Sequence, residues 1–133
     1  MPHTSNAPLV VIIDSDRDIG KALALLVHDW GYASITAPSG EAAKAALGPD
    51  ILAVAAIVAE YELDQGFDGA CVATNLHEAV GHYVPTIITS GQSYFAEHQT
   101  AFSVLHKPFD PTVLHHWLDT HVVWPSTPVS LTQ

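Results

Sequence analysis

Hydrophobic positions along this chain alternate between short unbroken runs and stretches in which apolar residues recur every three or four places. The first run, Leu9 to Ile13, is apolar and largely β-branched, the pattern of a strand buried on both faces of a parallel sheet, and it ends in Asp14-Ser15-Asp16. Ile19, Leu23, Leu26, Val27 and Trp30 then recur at helical spacing, with Gly31 as a stop. The spacing predicts a second short strand at Ala33 to Ala37 and a helix over 41–47 that Ser39 can cap and Gly48-Pro49 ends. The apolar run at 51–59 predicts a third strand, 68–80 a helix closed by Gly81, 84–89 a fourth strand, 102–105 a fifth, and 110–121 a last helix.

Strands that alternate with helices imply right-handed crossovers and a parallel sheet covered on both faces, with any ligand site beyond the carboxyl ends of the strands. The chemistry is therefore to be sought after residues 13, 59, 89 and 105. A chain of 133 residues, 48% of them hydrophobic, is enough for one core and too short for two. The expected organisation is a poorly ordered start at 1–8, a body at 9–121, and a tail at 122–133 that is rich in Pro, Ser and Thr from Pro125 on. No internal repeat, linker or attached effector domain is visible.

Charge removes whole classes of function. Against 14 acidic residues stand only Arg17, Lys21, Lys44 and Lys107, a net charge of -10, so no basic patch exists to neutralise nucleic-acid phosphates or anionic lipid. Apolar runs are far shorter than the ~20 residues of a spanning helix. The start Met1-Pro2-His3-Thr4 lacks the features of a signal peptide, and the lone Cys71, expected in the core, forms no internal disulfide, so a cytoplasmic location is expected. Among nine histidines, only His115 with Asp119 has the i, i+4 spacing of a helical ligand pair, a weak metal signal. No Gly-x-Gly-x-x-Gly phosphate cradle and no Gly-x-Ser-x-Gly elbow occurs.

The segment Leu105-His106-Lys107-Pro108-Phe109, between an apolar run and a helix, resembles the end of a response-regulator receiver domain of the CheY-like type. The resemblance spans roughly residues 9–121. Val10-Val11-Ile12-Ile13-Asp14-Ser15 is similar to the first strand and acidic pair of that family, with Asp14 at the first acid and Ser15 at the second. Ala59-Glu60-Tyr61-Glu62-Leu63 is similar to the third strand end, with Glu60 at the phosphate-accepting position. A register shifted by one places Tyr61 there instead. Val84-Pro85-Thr86-Ile87-Ile88-Thr89-Ser90-Gly91 resembles the fourth strand, with Ser90, or Thr89 in the shifted register, at the Ser/Thr position. Lys107 matches the lysine that pairs with the phosphoryl group, and Val104 stands at the switch position that usually holds Tyr or Phe. Only seventeen residues separate Ser90 from Lys107, so a short fourth helix is expected near 93–99.

What the resemblance implies is an α/β, flavodoxin-like (βα)5 three-layer sandwich with a five-stranded parallel sheet in the order 2-1-3-4-5. The implied function is an atypical, stand-alone receiver in signal transduction, not an enzyme, acting by contact with a histidine kinase or another signalling protein. Asp14, Ser15, Glu60, Ser90 and Lys107 would form a degenerate acidic pocket in which Lys107 can pair with Glu60. No cofactor is required. Mg2+, which demands hard oxygen ligands, would have only Asp14 as a weak ligand from the acidic pair, and Asp16 belongs to the following turn. A homodimer through the fourth helix, fifth strand and fifth helix is possible in this family pattern. The alternatives are a phosphotransfer protein using a relocated acid, with Asp64 the nearest, and a small-ligand or oligomerisation module on the same architecture. Asp14 and Glu60 as plain solvated acids at strand ends are the bland reading.

Overall fold

The structure, a computed structural model, describes residues 7–63, 68–91 and 100–124. Its strands lack polar alternation because both sheet faces are covered. In β1 (Leu9–Ile13) all five residues are buried, and successive side chains enter different cores. Leu9, Val11 and Ile13 pack with Ala43 and Leu47 of α2 (Gly40–Leu47) and with Ala73, Leu76 and Val80 of α3 (Gly69–Val80). Val10 and Ile12 pack with Leu23 and Val27 of α1 (Arg17–Asp29) and with Leu114 and Leu118 of α4 (Pro111–His121). Two cores on one sheet make a three-layer sandwich.

With β2 (Ala33–Ala37), β3 (Val54–Glu60), β4 (Thr86–Ser90) and β5 (Ser103–His106), the sheet is parallel throughout in the order β2-β1-β3-β4-β5. The chain runs from β1 to one side and then returns past it to the other. The carboxyl ends of β1 and β3 therefore flank the crevice where the strand order reverses, the place such sheets offer to ligands.

Local signals set most boundaries. Ser39 accepts a hydrogen bond from the Ala42 N–H at 3.1 Å, and the Asp68 carboxylate accepts one from the Cys71 N–H at 2.8 Å, so each caps a helix. Gly31 and Gly81 follow α1 and α3 with φ of 95° and 99°, which disfavours any other residue. Two expectations are corrected. Residues 51–53 are not strand but belong to a 3-10 turn, Gly48–Ala53, because Pro49 pre-sets the backbone of its first residues. Cys71 is exposed rather than in the core, because the buried stripe of α3 runs through Gly69, Ala73, Leu76 and Val80 and leaves position 71 on the outer side. The helix expected near 93–99 and the acid Asp64 lie outside the described residues. At the ends, the Pro8 carbonyl accepts from the Ala33 N–H at 3.0 Å, and Val122 is buried in the α1/α4 core. Among the described residues no helix is long and apolar enough to cross a membrane.

Candidate functional site

Three strand ends converge on one ammonium group. Asp14 follows β1, and its backbone N–H is held by the Ala37 carbonyl of β2 at 3.1 Å. Glu60 is the last residue of β3, and Lys107 follows β5 with its backbone N–H on the Ser90 carbonyl at 2.9 Å. From these anchors the Lys107 Nζ donates to Asp14 Oδ2 at 3.1 Å and to Glu60 Oε2 at 3.0 Å. The other oxygen of Glu60, Oε1, accepts from the Ser15 backbone N–H at 3.0 Å and from the Ser15 hydroxyl at 2.7 Å. Asp14 Oδ1 accepts from the Asp16 N–H at 2.8 Å. Every oxygen of both carboxylates therefore has a donor. The Lys107-Pro108 peptide bond is cis.

Burial makes these contacts matter, because the side chains of Asp14, Glu60 and Lys107 are only 2%, 12% and 19% exposed. The two acids respond in opposite directions although they share one cation. Burial pushes the Asp14 carboxyl above its ordinary value of 3.8, outweighing the Asp16 N–H and Lys107. Burial also acts upward on Glu60, but the two Ser15 donors and Lys107 together hold its carboxyl below its ordinary value of 4.5. For Lys107 the desolvation works downward and is more than offset by the two carboxylates, so the ammonium is retained above its ordinary value of 10.5. A depressed carboxylate adds stability that is complete above its unfolded-state value and is lost as the pH falls through its folded-state value. Ser15→Ala removes one of the three donors to Glu60 and should raise that carboxyl toward 4.5. The expected cost is about 1 kcal/mol at neutral pH. A carbon-detected NMR titration of the Glu60 carboxyl reads the shift directly, and an unchanged midpoint would show that the hydroxyl contributes nothing.

Ser90 has a different companion. It is fully buried, and its hydroxyl donates to Glu62 Oε2, while the Gly91 N–H donates to Glu62 Oε1 at 3.2 Å. The structure thus brings Asp14, Ser15, Glu60 and Lys107 together around one ion pair network, with the Ser90 hydroxyl on Glu62. Glu62 went unnoticed in the sequence. Its signal there is slight: an acid two residues beyond Glu60, hence on the same side of an extended chain. Tyr61 packs against the α2/α3 core, and its backbone N–H donates to the Thr89 carbonyl at 2.8 Å. Val104 lies partly buried against that same core, in company with Phe102. The Asp16 carboxylate caps α1, accepting from the N–H groups of Asp18 and Ile19.

Elsewhere, His115 Nε2 lies 3.2 Å from Asp119 Oδ2, and the Tyr32 hydroxyl donates to Asp119 Oδ1 at 2.7 Å. Among the described residues, no three His, Cys, Asp or Glu side chains converge so that they could hold a metal ion.

No protein-family model matches the sequence, and no curated protein matches it. Solved structures do. The chain superposes on the Vibrio cholerae chemotaxis protein CheY4 with a TM-score of 0.72 at 18% identity, covering 87% of this chain and 99% of that one. The fold is that of a receiver domain. A response regulator receiver domain protein from Clostridium thermocellum gives a TM-score of 0.70 at 16% identity, with 85% of this chain and 92% of that one covered. A sensor protein from Polaromonas sp. JS666 gives 0.71 at 23% identity, with 86% and 94% covered. In the receiver fold, the network of Asp14, Glu60 and Lys107 lies at the carboxyl edge of the sheet, across the reversal point between β1 and β3.

Proposed function

We propose that this chain is a receiver-like signalling domain that works by docking to a partner protein and takes no phosphoryl group at the end of β3. The single observation that carries this reading is the saturation of Glu60: one oxygen is held by the Ser15 N–H and hydroxyl, the other by Lys107. A carboxylate that is to attack phosphorus must present a free lone pair in line with the leaving group, placed to within about an ångström. Glu60 is one methylene longer than an aspartate, and both its oxygens are already spent on the protein's own donors.

Magnesium is equally ill served. An octahedral Mg2+ needs open oxygen ligands, whereas the two facing carboxylates share the Lys107 ammonium and the Ser15 hydroxyl is turned to donate. The domain is on this reading a binding module rather than an enzyme. Its partner is a histidine kinase or another cytoplasmic signalling protein, recognised through a surface that the network behind it keeps rigid.

Intact mass after incubation with millimolar magnesium and acetyl phosphate tests the reading. The native chain is expected to keep its mass, and the variant carrying Glu60→Asp with Ser15→Asp to gain one phosphoryl group. Gain on the native chain would overturn the proposal, and mapping the modified residue would then decide whether a relocated acid such as Asp64 serves.

A further inference from the structure

We propose that the Ser90 hydroxyl and the Gly91 N–H form a seat for a tetrahedral oxyanion of the phosphate class, and that Glu62 fills this seat in cis as an internal occupant. The two donors sit side by side at the carboxyl end of β4, one on a fully buried side chain and one on the backbone. Glu62 spends one oxygen on each, Oε2 on Ser90 and Oε1 on Gly91. Two converging donors on the two oxygens of one anion are the arrangement by which proteins hold phosphate and carboxylate alike.

The occupant is itself anchored. The backbone at Glu62 pairs with Asp68 in an antiparallel bridge, and the Tyr61 carbonyl beside it accepts from the N–H groups of Leu63 and Gly69 at 3.0 and 3.1 Å. The glutamate is therefore delivered to the seat by a braced turn. The seat also has room, for a methyl group built on Gly91 would meet no atom within 4 Å. Lys107 stands next to it, tied to Ser90 backbone to backbone at 2.9 Å, so an entering anion would find a cation at hand. Glu60 and Glu62, two residues apart, thus divide the donors of the strand ends between them: Ser15 and Lys107 go to the first, Ser90 and Gly91 to the second.

The inference rests on the docking reading for what the seat would regulate, and not for the seat itself. Inorganic phosphate at constant ionic strength, followed by the amide NMR spectrum, separates the two. The native chain is expected to leave the Gly91 amide unmoved in the millimolar range, while Glu62→Ala moves it saturably, with an affinity at least about tenfold higher. Adding Ser90→Ala to that variant should abolish the response. Glu62→Gln, which keeps the shape and removes the charge, provides the same comparison should the alanine variant unfold. Identical behaviour of native and Glu62 variants, whether both respond or neither does, would overturn the proposal and reduce Glu62 to a brace of its loop. That result would leave the docking reading standing, just as phosphoryl gain by the native chain would sink docking and leave the seat.

Discussion

Lys107→Met should lower the stability of the folded chain by about 3 kcal/mol at neutral pH, the scale expected when one partner of a buried charge network is removed and the others are left. Methionine keeps the length of the side chain, so the loss reports charge more than volume. Asp14 and Glu60 would then face each other with no cation between them, and both carboxyls would titrate higher than in the native chain, Asp14 furthest because burial already raises it. A folded-state carboxyl raised above its unfolded value gives stability that is present below that value and lost as the pH rises through the folded one. The native chain behaves oppositely at Glu60, whose depressed carboxyl loses its contribution as the pH falls below 4.5. Acidification should therefore narrow the gap between variant and native. Urea unfolding at a series of pH values measures it, and a gap that stays constant from neutral pH to pH 4 would show that packing, not charge, accounts for the loss.

Gly69→Ala is expected to cost a similar amount, about 3 kcal/mol, for a steric reason. A Cβ on Gly69 would lie 2.2 Å from the Glu60 carbonyl oxygen and 2.8 Å from its carbon. Those atoms belong to the backbone, which cannot rotate away as a long side chain would, so either α3 or the end of β3 must move. Movement of β3 shifts Glu60 from Ser15 and Lys107. The variant should lose stability and, in the same NMR titration used for Ser15→Ala, show the Glu60 carboxyl closer to its ordinary value. Loss of stability with the Glu60 titration unchanged would place the strain entirely in α3.

The inner strands were legible because burial on both faces leaves an unbroken apolar run, and Leu9 to Ile13 has no other reading. The caps at Ser39 and the stops at Gly31 and Gly81 were legible because each acts within three residues of itself. The run at 51–59 misled because hydrophobicity alone does not separate a buried turn from a strand, and Pro49 outweighed it. Cys71 misled because the true first residue of α3 depends on the Asp68 cap, and a shift of one or two positions turns a side chain out to solvent. The acid and lysine positions at the strand ends followed from the register. The course of the Glu62 side chain did not, since it is fixed by a turn whose closure onto Asp68 is tertiary.

The outward position of Cys71 has a practical use. The chain contains one cysteine, and it stands exposed on the first turn of α3, two residues from the glycine that touches Glu60. A thiol-reactive fluorophore or spin probe would attach there and nowhere else, with no engineering of the chain. Any partner or anion that displaces α3 relative to the sheet would register as a change in the mobility of a single, known label.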